Sequence, residues 1–557
     1  MKRIVKILLL IVALPVAAAA LLFAVGAYLY LTADFRMPDV AVDMEQYTLA
    51  VDTQQLKVCQ GSSLRLNEYG LWEAYIAGDA TERGATYGLM SQSLIRQQED
   101  TFVARMHELV PSDLWVEWLH KLIIIFNRDM ARHIPDQFRE EICAMSHYCT
   151  EEYNRYGSPY VRQLNFHAAH DIGHAIQQYM LVGCSSFACW GADSQSGELI
   201  VGRNFDFYLG DDFAKNRFVL FVEPDEGYRF ASISWAGMMG VLSGMNECGL
   251  TVTINAAKGD IPTGSAMPIS LLARQILQYA ANIEQAYAIA QQAETFVSES
   301  LLIASAADGY AAIIEKTPER MALYRSDKSN ILCTNHYQSP DMDDDHNRQN
   351  IATSDSPYRY ARLGELVAQY APVDAADAVQ ILRNRYGLQG EDIGIGNEKS
   401  INQFIAHHSV VFEPKQLRFW VSTAPWQSGE YICYDLRDVF ARQGGGTASY
   451  VKAECNIAAD STAIADECRR VVSYREDYKR LAAAIAAGES VDCDFITNFI
   501  SNNPNYFQVY NIVGDYYLSV VEYDRAVEHW RLALQCEVTR QGEVQEIERK
   551  IEEYDKK

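Results

Sequence analysis

The run Gly183-Cys184-Ser185-Ser186-Phe187, followed closely by Gly202-Arg203-Asn204-Phe205-Asp206-Phe207, sets a thiol, a guanidinium and a carboxylate in one short stretch of chain. Residues 187–192 and 198–206 read as strands, and Asp193-Ser194-Gln195-Ser196-Gly197 between them has turn chemistry. A hairpin of this kind returns Cys184 to the side of Asp206. A cysteine attacks as the thiolate, so it needs a nearby cation to lower its pKa and a base to take its proton. Cys189 lies an odd number of residues further along the strand, which puts it on the opposite face from Cys184 and marks it as structural.

Further segments follow in order. They are Gly78-Asp79-Ala80-Thr81-Glu82-Arg83-Gly84 with Gly88, then Gly240 and Gly244-Met245-Asn246-Glu247-Cys248-Gly249-Leu250, then Thr253-Ile254-Asn255, Thr334-Asn335-His336 and Ser356-Pro357-Tyr358-Arg359. Together with the cysteine and arginine segments, this series resembles the penicillin acyltransferase branch of the N-terminal-nucleophile hydrolases, with choloylglycine hydrolase and acid ceramidase as more distant relatives. The match spans most of residues 60 to 435, and the order of the motifs is more specific than any one of them.

The resemblance implies an autoproteolytic enzyme. Its nucleophile is the first residue of a mature chain, so the Gly183-Cys184 bond is expected to break by attack of the Cys184 thiol on the Gly183 carbonyl. Gly183 has no Cβ to shield that carbonyl. The freed α-amine, with a pKa of about 8, then serves as the base. By the same resemblance Asp206 holds the amine, Arg203 stabilises the thiolate, and Asn255 and Asn335 donate to the oxyanion. Arg359 joins them, with Arg362 as the alternative match. The product is an acyl thioester on Cys184, passed to water or to an amine. No cofactor and no metal is called for, and the expected substrate is a small N-acyl amide or acyl donor.

Other constellations carry less. His170 and His174 stand four apart on a helical stretch, but no glutamate-containing zinc motif surrounds them. The run Asp341, Asp343, Asp344, Asp345, His346 lacks the glycine and terminal glutamate of a calcium loop and reads as solvated. His336 and the pair His407-His408 would suit a cysteine–histidine protease, which needs neither self-cleavage nor the arginine–aspartate strand.

The elements that must position these residues read as an α+β chain, an αββα sandwich of two antiparallel sheets with helices outside, which the resemblance also implies. Residues 45–183 read as a mainly helical N-terminal part, 184–437 as the catalytic core, 438–470 as a linker around Gln443-Gly444-Gly445-Gly446-Thr447, and 471–557 as helical. In the last region Tyr510, Gly514, Tyr517, Ala526, Trp530 and Ala533 match the pattern of one tetratricopeptide repeat, with helices near 507–520 and 522–536. Two readings stand side by side, a docking surface for a peptide or protein partner and packing against the hydrolase, with the region expected to fold separately.

Ahead of all this, Lys2, Arg3 and Lys6 precede an uncharged run from Ile7 to Leu31, long enough to cross a bilayer. This predicts an N-terminal anchor, or a signal peptide cleaved near Ala17-Ala18-Ala19-Ala20, with the rest of the chain outside the cytoplasm, periplasmic in a bacterium. A net charge of −25 argues against nucleic acid as a partner. Twelve cysteines in an oxidising compartment permit disulfides, with Cys143 and Cys149, and Cys455 and Cys468, at spacings that can close. The rival to an enzyme is a membrane-tethered assembly protein with a relic hydrolase fold.

Overall fold

The computed structural model describes residues 2–555 except 41, 111, 170, 172–180, 211, 261, 263, 443 and 444; the side chains of 2–13, 15, 109, 181 and 182 also lie outside it. An eleven-stranded sheet and a seven-stranded sheet make up the body. Strand residues divide by parity. In Arg217–Pro224, Phe218, Leu220 and Val222 face one apolar layer while Val219 and Phe221 face another. In Ala406–Glu413, Val410 and Phe412 join Val219 and Phe221, while Val411 points the other way. Side chains that alternate across both sheets and meet in one shared layer mean that the sheets are stacked face to face.

Helices cover the outer faces. Ala80–Leu109, Asp136–Ser146 and Ile269–Tyr279 pack on the larger sheet, and Ser356–Tyr370 and Ala375–Arg383 on the smaller. The layer order is the expected helix, sheet, sheet, helix. Two expectations need correction. Trp72–Gly78 runs parallel to Arg217–Pro224, so the larger sheet is mixed. The N-terminal part is not simply helical either, because four strands between Val51 and Gly78 extend that sheet before the helices begin.

The early glycine-rich segment is a packing device. Asp79 caps the helix Ala80–Leu109 by accepting from Glu82 N, and Arg83 pairs with the fully buried Glu141 at 3.0 Å. Arg274 pairs with the same carboxylate at 2.8 Å. A Cβ on Gly84 would sit 2.1 Å from Glu141 O, so only glycine lets the two helices cross.

The hairpin forms between Ser185–Cys189 and Ile200–Tyr208, with Ser185 opposite Asn204. Cys184 and Cys189 fall in different apolar layers, as their spacing requires. All twelve cysteines are free thiols, Cys143, Cys149, Cys455 and Cys468 among them, so neither proposed disulfide is present. Spacing along the chain does not fix the Cα geometry a bridge demands. The motif His170/His174 lies outside the described residues. Asp344 of the acidic run caps the helix Asp345–Thr353 and pairs with Arg320.

An N-terminal helix covers Lys2–Leu31, and its Phe23 meets Trp118 at 6.4 Å between ring centroids. Among the described residues no helix is long and apolar enough to cross a membrane, so the expected span has no support here. At the other end, helices Phe507–Ser519 and Tyr523–Ala533 form where expected. Gly514 lies under Trp530, where a Cβ would come within 2.5 Å of the ring. The expected separation from the hydrolase is not seen. Val451 and Ile457 pair with the strand Tyr431–Asp435, and Asn503, Glu537 and Arg540 bond to residues between 355 and 399.

Within the hairpin Gly202 faces the Phe187 ring, and a Cβ there would stand 2.4 Å from it. Gly202→Ala must therefore push Phe187 out of place, and overpacking of this kind costs about 1–3 kcal/mol. A lower midpoint in urea denaturation checks this; an unchanged midpoint would mean the ring has room to move.

Candidate active site

Cys184 is fully buried where the hairpin returns. Its Sγ lies 3.9 Å from Asp206 O and 3.7 Å from Arg203 Nη2. Arg203 crosses the space between the sheets, donating to Leu242 O at 3.1 Å and also to Ser243 Oγ and Ile254 O. Its guanidinium stacks on the Phe205 ring at 4.5 Å. Ser243 Oγ is also within 2.8 Å of His408 Nε2, and His408 in turn touches His407. Neither histidine bonds to the sulfur. Burial pushes both far below the ordinary imidazole value, His407 to about 3, so they are neutral supports for Arg203 and its serine rather than bases.

On the other side stands Arg359. From the helix Ser356–Tyr370 it donates to Cys184 O at 2.8 Å, Ser185 Oγ at 3.0 Å, Asn335 Oδ1 at 2.8 Å and Asp355 Oδ2 at 2.9 Å. Arg362, the alternative match, binds Glu365 and Asn384 instead. Asn335 Nδ2 reaches Ala256 O at 2.8 Å, and its backbone N–H donates to Ser356 Oγ, which His336 Nδ1 also approaches at 2.8 Å. Asn255 accepts from Ser186 Oγ at 2.9 Å and donates to Cys333 O at 3.3 Å. Each asparagine amide thus has one N–H committed to a backbone carbonyl and one left to offer.

The Gly183 carbonyl has a partner that the motifs did not reveal. Gln403 Nε2 donates to Gly183 O at 3.1 Å, and a Cβ on Gly183 would stand 2.5 Å from that nitrogen. Gly183 N–H donates to Asp206 O at 3.1 Å. A side chain at the residue before the cysteine would have to displace the Gln403 amide from the Gly183 carbonyl. Asp355 and Ser186 were also missed; Ser186 bonds to the remote Asn255, and Asp355 to Arg359 one turn along and to the remote Arg540.

Burial dominates the electrostatics of the site. Burial drives the Cys184 thiol up to about 11, with Arg203 pulling the other way. Neither carboxylate oxygen of Asp206 meets a hydrogen-bond donor among the described residues, although the side chain is completely buried. Burial raises its pKa to about 7 against the pull of Arg359 and Arg203. A buried carboxylate without a donor is costly and rare.

Residues 192–424 match the profile of the family described as acyl-coenzyme A:6-aminopenicillanic acid acyl-transferase. That span includes Arg203, Asp206, Asn255, Asn335, Arg359 and Gln403 and begins just after Cys184. An uncharacterised protein of Archaeoglobus fulgidus is 23% identical over 404 residues, covering 65% of this chain and 66% of its own length. Among solved structures, a Caenorhabditis elegans N-acylethanolamine-hydrolyzing acid amidase ortholog gives a TM-score of 0.31 at 15% identity over 42% of this chain and 93% of its own. A conjugated bile acid hydrolase mutant from Clostridium perfringens gives 0.32 at 12% over 46% and 92%. At these scores neither likeness extends to the architecture of the whole chain.

The orphaned Asp206 makes a stability prediction for the uncleaved chain. Its folded value stands above the ordinary 3.8, so stability falls as pH rises from about 4 to about 7 and the full penalty is present above that. In a Cys184→Ala background, Asp206→Asn should raise Tm by several degrees at pH 8 and hardly at all at pH 4. Equal shifts at both values would show that the carboxylate is paired.

Proposed function

We propose that this chain is a cysteine N-terminal-nucleophile enzyme that breaks its own Gly183–Cys184 bond and then cleaves or transfers the acyl group of small N-acyl amides. The observation that carries the reading is the arrangement around that one bond. The thiol, a donor on the Gly183 carbonyl, a donor on the Cys184 carbonyl and an unpartnered buried carboxylate all converge on it. The family profile over residues 192–424 supports the same class of chemistry.

In the first stage the Cys184 thiol adds to the Gly183 carbonyl carbon while Gln403 Nε2 stabilises the oxygen as it becomes anionic. The C–N bond breaks, the nitrogen of Cys184 takes up a proton, and Gly183 is left as a thioester. Water hydrolyses the thioester, giving a Gly183 carboxylate and a Cys184 with free thiol and free α-amine. The new amine lies against Asp206, whose carboxylate then gains its missing donor.

In the second stage the amine accepts the thiol proton and the thiolate attacks a substrate amide. The free N–H of Asn255 and of Asn335 stabilises the tetrahedral oxyanion, each donor contributing roughly 3–4 kcal/mol. The protonated leaving amine departs, and the acyl thioester on Cys184 goes to water or to an acceptor amine. Arg203 offsets the burial that otherwise keeps the sulfur protonated. The choice of acceptor rests on how fully the bound acyl group excludes water.

Intact mass tests the first stage directly. Wild type should run as two chains divided at Gly183/Cys184, and Cys184→Ala as one chain without amide turnover. A wild type that stays whole, or an alanine variant that still splits, would return the protein to the non-catalytic reading.

Gln403 gives a separate prediction. Gln403→Ala should slow chain cleavage by roughly 100-fold, the usual loss for a single oxyanion donor. Time-resolved mass spectrometry of freshly made protein follows it, and an unaltered rate would reduce Gln403 to a packing role.

A further inference from the structure

The C-terminal helical region reaches the active site through one ion pair. Arg540 stands ahead of the helix Gln541–Tyr554, and its Nε lies 3.5 Å from Asp355 Oδ1. The other oxygen, Asp355 Oδ2, accepts from Arg359 Nε at 2.9 Å. Arg359 in turn holds Cys184 O and Asn335 Oδ1. One buried carboxylate therefore stands between a C-terminal arginine and the arginine that grips the reacting segment; Asp355 is 5% exposed and Arg359 1%.

We propose that Arg540 is a positioning residue for Arg359, acting through the shared carboxylate of Asp355, so that the C-terminal helical region completes the active site. This rests on the reading of Cys184 as nucleophile. Arg359 carries its donors in a rigid fork. Fixing its Nε edge against Asp355 fixes where Nη1 and Nη2 point. Asp355 holds that edge only while its own second oxygen is satisfied.

The surroundings of Arg540 are built to hold it. Glu543 Oε2 accepts from Arg540 N at 3.0 Å, and the neighbouring Thr539 donates to Glu398 Oε2 at 2.8 Å. Asn397 donates to Glu537 O at 2.9 Å, and Lys399 pairs with the Glu537 side chain. A second strut acts on the loop that carries Gln403. There Arg475 donates to Phe404 O at 2.7 Å, and Asn503 exchanges hydrogen bonds with Ile395 at 2.9 and 2.8 Å. Arg359 and Gln403 are thus both braced by residues beyond 470.

The arrangement also sets a pH response. Burial pushes Asp355 up, but Arg359 and then Arg540 overcome it and hold the carboxyl below the ordinary range. The other charged groups facing this cluster are Asp206, Glu398 and Glu543, each of which works against ionisation of a neighbouring carboxyl. His336, joined through Ser356, is kept neutral by burial down to about pH 4. Removing Arg540 lets Asp355 take its proton at a higher pH, and a protonated Asp355 no longer anchors Arg359.

The test uses the full-length chain with Arg540→Met, Arg540→Lys, Asp355→Asn and the double variant Arg540→Met/Asp355→Asn. Three quantities are followed: the rate of cleavage at Gly183/Cys184, the pH dependence of Cys184 alkylation by iodoacetamide in the cleaved form, and hydrogen exchange of peptides covering 334–337 and 355–362. Arg540→Met should slow cleavage about tenfold, a common size of coupling between groups in one network, and move the acid limb of cleavage and alkylation to higher pH. Arg540→Lys should recover most of the rate. The double variant should be no slower than Asp355→Asn alone.

Additive losses in the double variant, a loss that lysine does not rescue, or a limb that stays in place would reduce Arg540 to a docking residue. If even wild type fails to cleave, the nucleophile reading falls by itself. The positioning claim is then decided by exchange, where Arg540→Met should expose 334–337 and 355–362 and Arg540→Lys should protect them; unchanged protection in Arg540→Met overturns it.

Discussion

The guanidinium of Arg359 is the interaction on which the rest of the site depends. It is buried, and its N–H groups meet acceptors from three segments far apart in sequence: Cys184 and Ser185 at the hairpin, Asn335 after a strand of the smaller sheet, and Asp355 at the start of its own helix. A buried cation is tolerated only when its donors are met, and breaking such a set by removing one partner commonly costs about 3–5 kcal/mol. The same condition fixes geometry. Once the fork is satisfied, the carbonyl of Cys184 and the amide of Asn335 have one relative position, and the sheets and outer helices serve to bring those acceptors within reach.

Burial then determines the protonation of everything near it. The thiol is raised, the histidines are lowered and Asp206 is raised, all by loss of water first and by neighbouring charges second. A neutral thiol with no base beside it among the described residues is poorly placed to attack an added amide. Under the proposed self-cleavage, breaking the Gly183–Cys184 bond would add an amine, supplying both the base that Cys184 lacks and the donor that Asp206 lacks. On that proposal one covalent event corrects two defects, which is why the unpartnered carboxylate weighs more in the functional argument than any single motif.

The sequence was legible where the physics is local. The hairpin from Ser185 to Tyr208 could be read from alternation and a turn, and it alone delivers Cys184 to Asp206. Asn255 and Asn335 were found by motif order, and both lie at strand ends facing the site. Gln403 was not found, since it is a lone polar residue whose partner is set by tertiary packing, its bond to Gly183 spanning 220 residues; Asp355 has a local partner in Arg359, but its link to Arg540 is set by tertiary packing too. The strands between Val51 and Gly78 were lost beneath the stronger helical signal that follows them. The disulfide spacings misled because proximity in sequence left Cys143 and Cys149 as separate thiols on one helix and its exit.

The junction between hydrolase and C-terminal helices combines a small apolar cluster, in which Ile395 and Phe404 meet Cys468 and Val471, with directional polar contacts, and the polar part bears on what it does. An apolar interface holds two bodies together while tolerating small slips, because burial energy follows area rather than direction. Arg540 to Asp355, Asn503 to Ile395 and Arg475 to Phe404 O each demand a distance and an angle. Contacts of that type add little net stability in exchange for the water they displace, but they specify register closely. The helices have their own apolar core, running from Leu481 through Trp530 to Ile547. Most of their apolar faces are buried without the hydrolase, Val471 being an exception, so adhesion alone does not account for a directional seam placed against the loop of Gln403 and the anchor of Arg359. A seam that specifies position, set where position governs a buried guanidinium, makes the helical region part of the catalytic apparatus.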